Sequence, residues 1–366
     1  MNTTESDRIS QSPTAPLRGA DLAVRLTAIV GALVVTAGLF LYAGGWFTPH
    51  KLTPAGIINT FEYLNGVHPG FRRNHAKGVC VTGYFESNGQ GQTISEAQVF
   101  LPGRVPILGR FALAGGRPFT DDTPQTIRSL AILFKQPNGE EWRTAMVNIP
   151  VFVVKTPQSF NEFQLASSPD PATGKNIPGA MPAFLANHPE TAAALKVIGQ
   201  HPFSSGFGDS PYYALNAFRF VNAQGESTPV RWYVAPDQTS QANGAATSDK
   251  NYLFDRLIAQ LHAKPLRWHL ILIIGQPGDP TADATAVWPP NRKQIDAGTL
   301  TINTIESEDI SPIRDINFDP LVLPHGISPS DDPLLSARSA AYSQSFTRRE
   351  GEHKVPSAIS TTEVEK

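Results

Sequence analysis

The chain has 366 residues, room for one large domain or two ordinary ones. Its formal net charge of −2 excludes the strongly basic surface that a nucleic-acid partner requires. A single cysteine, Cys80, excludes an internal disulfide, and the lack of a C-x-x-C-H segment excludes covalent c-type heme attachment.

The first residues are polar and rich in Ser, Thr and Pro, and residues 1–25 are expected to form a disordered cytoplasmic tail. Leu26 to Phe47 then runs 22 residues without a charge. That is enough to cross a hydrocarbon core of about 30 Å as a helix. Arg18 and Arg25 precede it, so the positive-inside bias places the following domain across the membrane. The expectation is a single-pass anchor in a bacterial inner membrane with the domain in the periplasm. Cleavage at Ala43-Gly44-Gly45, as for a signal peptide, would release the domain there instead.

After the anchor, Thr53-Pro54 has the form of an N-cap followed by Pro at N1. Ile57, Ile58, Phe61 and Leu64 fall at helical spacing, and Gly66 would end the helix. From there the pattern is mostly strand. Short apolar runs occur at 79–85, 97–101, 130–134, 149–154, 214–221, 231–234, 270–274 and 299–305, separated by Gly, Asn, Pro and Asp. Pro137-Asn138-Gly139-Glu140 and Asn222-Ala223-Gln224-Gly225 have turn chemistry. About eight strands at this spacing favour a closed antiparallel barrel, which removes exposed edges. Two helices interrupt them. One covers Pro189–Ile198; the other, capped by Ser248, puts Leu253, Leu257 and Leu261 on one face. Residues 236–248 have the composition of an exposed loop, and residues 350–366 that of a disordered tail.

Two distant stretches carry the chemistry. Arg72-Arg73-Asn74-His75-Ala76-Lys77-Gly78 resembles the R-x-x-H-A-K-G distal segment of the heme catalase family. Phe318-Asp319-Pro320, Pro324-His325-Gly326-Ile327 and Arg338-Ser339-Ala340-Ala341-Tyr342 resemble its proximal F-D-P…P-G-I…R-x-x-A-Y segment. Leu108–Phe111, Arg128–Phe134, Asn148–Phe152, Val287–Pro289 and Gly298–Leu300 match further family segments in order, so the likeness spans roughly 61–349. The modest length and Glu141-Trp142-Arg143-Thr144 resemble the small catalase-related peroxidases. The resemblance implies an α+β fold. Its core is a catalase-like antiparallel eight-stranded β-barrel with surrounding helices, over residues 53–349, preceded here by one transmembrane helix.

The resemblance also implies heme, of the b type with its iron, as cofactor. Tyr342 matches the axial iron ligand. Arg338, one helical turn earlier, would face the phenolate and favour its ionised form. Asp332 would orient that guanidinium. Arg72, Arg110 and Arg349 match positions that pair with the propionates, a task that suits the bidentate guanidinium. His75 would act as general acid–base for cleavage of the O–O bond of hydrogen peroxide. Three pocket positions depart from the family pattern. Aligned on Pro150, the distal Asn of N-N-x-P becomes Val147, with Asn148 as the second Asn. The residue before the histidine is Asn74 rather than Val, and the Ser of V-R-F-S is Ala112. Asn148, through a one-residue loop shift, or Asn74 would have to supply the missing amide.

The leading expectation is therefore a heme-dependent peroxidase that reduces hydrogen peroxide and oxidises a small organic electron donor. The alternatives are true catalase activity, metabolism of lipid hydroperoxides, and a non-catalytic heme-binding protein, against which the base His75 argues. Oligomerisation is open to the chain, and no nucleic-acid partner is expected.

Overall fold

The computed structural model describes residues 19–44, 52–239 and 249–366, in two compact units divided after Thr53. The first unit contributes one described helix, α1 (Gly19–Ala43), with a mean hydropathy of 2.2 over its most apolar window and no buried residue. At 1.5 Å per residue it is long enough and apolar enough to cross a membrane, a property that signal sequences share. It begins at Gly19, not Leu26, so residues 19–25 are helical rather than part of a disordered tail. Residues 1–18 and 45–51, including the expected last turn to Phe47, lie outside the described residues.

The second unit begins with α2 (Pro54–Asn65), which buries Ile57, Ile58, Phe61 and Leu64 as their spacing predicts. Ten strands follow: β1 (Gly78–Ser87), β2 (Gly103–Leu113), β3 (Arg128–Lys135), β4 (Glu141–Val147), β5 (Tyr212–Tyr213), β6 (Phe218–Val221), β7 (Ser227–Pro236), β8 (Leu266–Ile274), β9 (Gln294–Glu306) and β10 (Ile327–Pro329). Eight of them close a ring of antiparallel neighbours in the order β1-β2-β3-β4-β5-β7-β8-β9, completed by the β9–β1 pairing. β6 and β10 extend it from β7. The ring needs a close approach at Gly83, where a Cβ would stand 2.0 Å from the Thr301 carbonyl oxygen as β1 bulges against β9.

Alternation fills the interior. Val79, Val81 and Phe85 of β1 face in with Ile107 and Phe111 of β2, Leu130, Ile132 and Phe134 of β3, and Trp142 of β4. Trp142 stacks on Phe134 at 4.9 Å and meets Trp232 edge-on at 5.1 Å. The Trp232 indole N–H donates to Thr144 Oγ1 at 3.2 Å, which settles a polar group that burial would otherwise strand. A helix over Tyr252–Ala263 adds Leu253, Phe254, Leu257, Ile258 and Leu261 to the same core.

Several expectations change. Residues 97–101 form a 3₁₀ turn at Gln98–Phe100, and 149–154 is irregular though its Ile149, Val151 and Val154 are buried. The strands there are β2 and β4 instead. Their outward positions carry Leu108, Ala112, Ala145 and Val147 beside the charged residues, and Gly109 stands at an inward one, which hid the alternation. The 214–221 run is divided at Leu215, which takes a left-handed backbone with φ 68, leaving only β6 as strand. Helix α3 (Pro157–Ser167), opened by a Thr156–Ser159 capping box, and α4 (Ala180–Asn187) escaped the sequence reading. The predicted 189–198 helix is α5 (Pro189–Gly199). α6 (Tyr252–Ala263) starts after Asn251; the expected cap Ser248 lies outside the described residues. α7 (Pro333–Glu350) carries the proximal segment, with Asp332 at its N-cap accepting from Leu334 N at 2.9 Å.

Residues 351–366 are not a loose tail. They end in α8 (Thr361–Val364), and Ile359 and Val364 are buried in the barrel core cluster. Charged and Ser-rich composition concealed two well-spaced apolar anchors. Ile359→Ala should therefore cost about 2–4 kcal/mol, as a buried Ile truncation does. Denaturant unfolding with a midpoint unchanged from the parent would show the segment to be dispensable.

Candidate active site

The register of β1–β4 fixes three cross-strand rows on the outer face of the barrel. The first is Gly78–Ala112–Ser129–Val147, the second Cys80–Arg110–Ala131–Ala145, the third Thr82–Leu108–Leu133–Arg143. Register partners share a face, so the first two rows present mainly small side chains. α7 lies across this face. Tyr342 packs on a cluster of Cys80, Leu108, Ala131, Leu133, Ile313, Ile316 and Phe318. A cavity of about 510 Å³ opens beside this cluster, bounded by Leu108, Leu133, Ile316 and Phe346 and by the charged Lys135, Glu141, Arg143 and Asp315; His75, Tyr342, Arg72, Arg110 and Arg349 do not line it.

His75 stands at the end of the first row, three residues before Gly78. It has a left-handed backbone, φ 55. For a non-glycine residue this costs of order 1–3 kcal/mol and persists only where its surroundings over-determine it. The surroundings do so here. Its N–H donates to Asn74 Oδ1 at 2.9 Å, and its carbonyl accepts from Arg110 Nη1 at 2.7 Å. The next residue, Ala76, gives its N–H to Gly115 O at 2.9 Å and takes Arg110 Nη2 on its carbonyl at 3.1 Å. The imidazole, by contrast, has a buried Nδ1 with no hydrogen-bond partner. Burial, then Arg110, Arg338 and Arg72, press its pKa down to about 3, against an opposing pull from the Leu113 backbone. The ring is therefore neutral at ordinary pH.

The other charges of this segment are structural. Arg73 bonds Glu62 of α2 at 2.8 Å and Glu352. Lys77 is buried against Asp122 at 2.7 Å and against the carbonyls of Thr120 and Lys250.

Arg72, Arg110 and Arg349 do converge, around a carboxylate that sequence reasoning missed. Glu308, 3% exposed, accepts from Arg72 Nη1 at 3.0 Å and from Arg110 Nε at 2.8 Å and Nη2 at 3.0 Å. Arg72 also donates to Ile316 O, and Arg349 to the carbonyls of Arg314 and Ile316. Burial, then Arg110 and Arg349, push the Arg72 pKa down to about 9; burial, then Arg110, push that of Arg349 down to about 10. Burial opposes ionisation of Glu308, but Arg110 and then Arg72 outweigh it and hold its carboxyl below the usual range. Three guanidiniums thus share one carboxylate, which leaves room for about two further negative charges. Arg110 is the most committed of the three: Glu308 and the carbonyls of His75 and Ala76 leave it a single free Nη1–H. Arg72 and Arg349 keep the free donors. Nothing in the sequence marked Glu308, since Glu306-Ser307-Glu308-Asp309 has the look of a solvated acidic run.

On α7, Arg338 donates through Nη1 to Asn216 Oδ1 and through Nη2 to Ala145 O at 3.2 Å. Asn216 Nδ2 donates in turn to Asp332 Oδ2 at 2.7 Å. Asp332 therefore reaches Arg338 through Asn216, not directly, and also caps the helix. Tyr342, one turn on from Arg338, lies within electrostatic reach of Arg110.

The two asparagines are otherwise engaged. Asn148 Oδ1 accepts from Arg128 N at 2.8 Å, closing the end of the β3–β4 ladder. Its side chain borders a second pocket of about 90 Å³ with His201, Phe203 and Tyr213, and no hydrogen bond links it to His75. Asn74 Oδ1 is taken by His75 N and Gly115 N. Val147 and Ala112 remain in the first row beside Gly78, so that row offers Ser129 as its one polar side chain.

This residue set fits a heme. An imidazole with one buried nitrogen unpartnered, a tyrosine on the helix opposite, a small-residue floor and an arginine cluster with an excess of positive charge are what such a group requires. Comparisons with known proteins agree. Residues 67–360 match the family model described as Catalase. The chain is 34% identical to a catalase-related peroxidase of Synechococcus elongatus, over 90% of this chain and 96% of the relative. It is 30% identical to one from Mycolicibacterium paratuberculosis, over 82% and 96%. Among solved structures, a fungal catalase superposes with a TM-score of 0.71 at 20% identity, covering 82% of this chain and 63% of its own.

The arginine cluster rests on a glycine. A Cβ at Gly78 would stand 2.5 Å from the Arg110 guanidinium and 2.5 Å from the Phe111 carbonyl oxygen, which is backbone and cannot step aside. Gly78→Ala should cost about 1–3 kcal/mol, as overpacking does, read by urea unfolding of the cofactor-free protein. Parent-like stability would mean that Arg110 has a second seat.

Proposed function

The chain belongs to the catalase family, and on that premise we propose that it is a heme-dependent peroxidase that reduces hydrogen peroxide with oxidation of a small organic donor. Family membership makes it an oxidoreductase acting on peroxide, with heme as the implied cofactor. The observation that most supports the finer reading is the neutral imidazole of His75, whose buried Nδ1 has no hydrogen-bond partner, fixed in a left-handed backbone beside the arginine cluster. A merely structural histidine would have its ring nitrogens paired.

In this reading Tyr342 supplies the phenolic oxygen to the iron of a b-type heme, and Arg72 and Arg349 take the propionates with their free N–H donors. When bound, the heme supplies the iron that accepts peroxide and stores its oxidising equivalents. His75 takes a proton from the near oxygen of H2O2 and returns it to the departing oxygen, which leaves as water. A ring already neutral at ordinary pH is ready to accept that proton. Arg338, held by Asn216 and Ala145, keeps a positive charge one helical turn from Tyr342.

Peroxidase is favoured over catalase by Val147. Oxidising a second peroxide requires that molecule to be held by a polar frame, and this part of the first row presents valine and alanine. Asn74 and Asn148 are anchored by their amide oxygens to backbone N–H groups, and no hydrogen bond joins either amide nitrogen to the His75 ring. For location, we place α1 as a single-pass anchor in a bacterial inner membrane with the heme domain in the periplasm.

Two substitutions and a pH profile test the reading. His75→Ala should keep its heme and lose about 10²–10⁴-fold in the rate of reaction with peroxide, measured by stopped flow. Tyr342→Phe should lose heme or change its visible spectrum. The wild-type rate should be flat from pH 5 to 8, because the histidine titrates near 3; an inflection close to 6.5 would mark an ordinary exposed imidazole. Retention of full activity by His75→Ala would end the proposal.

Val147→Asn should raise O2 release relative to donor oxidation at equal heme loading. An unchanged ratio would show that residue 147 does not set the balance.

A further inference from the structure

We infer that Glu308 is a positioning residue for His75, acting through Arg110: the buried carboxylate holds the guanidinium, and the guanidinium holds the left-handed backbone that aims the imidazole. The inference rests on the reading of His75 as the acid–base group. Arg110 was expected, with Arg72 and Arg349, to face the cofactor, yet its bonds point elsewhere. Its Nε and Nη2 form a two-pronged bond to both oxygens of Glu308, at 2.8 and 3.0 Å. The outer side of the same fork closes on two successive carbonyls, those of His75 at 2.7 Å and Ala76 at 3.1 Å.

The arrangement suits positioning for a geometric reason. A guanidinium is planar and rigid, so fixing one edge fixes the direction of the other. Glu308 sets one edge, and the other sets the orientation of two peptide planes. These planes meet at the Cα of Ala76, and the first borders the Cα of His75 on its carbonyl side; with the other side held by Asn74 Oδ1 on the His75 N–H, it keeps the His75 φ at 55. Gly78 leaves the guanidinium the space to lie there. Glu308 also binds Arg72, so the carboxylate joins the residue proposed to hold a propionate to the residue that aims the base. Simple charge compensation would not need the second contact to carbonyls, and a simple propionate clamp would not consume nearly every donor of Arg110.

The test uses the full chain with Glu308→Gln and Arg110→Lys. Lysine keeps the charge and an ion pair with Glu308 but cannot reach both carbonyls as a fixed fork. Two readouts are taken. In the heme-free protein, the Cα and amide NMR shifts of His75, assigned by comparison with His75→Ala, report its backbone conformation. In the heme-loaded protein, the rate of reaction with peroxide is measured alone and in the His75→Ala background. We expect both variants to move the His75 shifts and to slow the reaction on the order of 10- to 100-fold, the loss that misplacing a catalytic group by about 1 Å brings. In the His75→Ala background neither should slow it further, because the path ends at the imidazole. Unmoved His75 shifts in Arg110→Lys, or full additivity with His75→Ala, would overturn the inference. If Glu308→Gln fails to fold, Arg110→Lys still decides it. Full activity in His75→Ala would instead sink the functional reading, while the NMR shifts would still report separately whether the backbone depends on Glu308.

Discussion

Strands β1 to β3 are buried on both faces around Gly78, Cys80, Arg110 and Ala112, and much of the molecule follows from that constraint. With β4, their inner face must fill a closed ring, which Phe111, Phe134 and Trp142 do with their neighbours. Their outer face must leave space under α7, which Gly78, Cys80, Ala112, Ala131 and Ala145 do by being small. An apolar outer face would have let α7 settle onto the barrel. With small residues there, α7 rests on a limited cluster around Tyr342 and leaves a cavity beside it.

Charge then decides what the site accepts. Removing Glu308 would strand two buried guanidiniums, and breaking a buried pair costs about 3–5 kcal/mol. Keeping it still leaves the cluster short of negative charge, and the depressed pKa values of Arg72 and Arg349 record that deficit. A group bearing two carboxylates relieves it. The same positive charge, with burial, keeps His75 neutral. One cluster therefore serves two ends, attracting an anionic cofactor and suppressing protonation of the base. The sign of its effect on stability is fixed as well. A histidine whose folded pKa lies below its unfolded value loses stability as the pH falls from about 6.5 toward 3, because the unfolded chain takes up the proton first.

Strain is concentrated where the chemistry is expected. Among the described residues, His75 and Leu215 are the non-glycine residues with positive φ. His75 carries the imidazole. Leu215 precedes Asn216, which holds Arg338 and is itself held by Asp332. Each strained residue thus lies at or next to a residue held by side chains distant in sequence: His75 by Arg110, and Asn216 by Asp332 and Arg338.

By itself the sequence determined the barrel class, the apolar helix near the N-terminus, the buried face of α2, and the two motifs that contribute His75 and Tyr342. These are legible because they are local: a period, an uncharged run, or residues at short fixed spacing. The strands β2 and β4 were harder to read because their outward residues serve the cavity and break the usual alternation. The last sixteen residues were misread because two apolar anchors, Ile359 and Val364, stand in polar company. Glu308, the relay from Asp332 through Asn216, the commitment of Arg110 to backbone carbonyls and the separation of Asn148 from His75 could be decided only by tertiary structure. Each is a contact between segments tens to hundreds of residues apart, and the partner of a buried charge is set by which side chains the folded backbone brings within about 3 Å, not by what stands beside it in the chain.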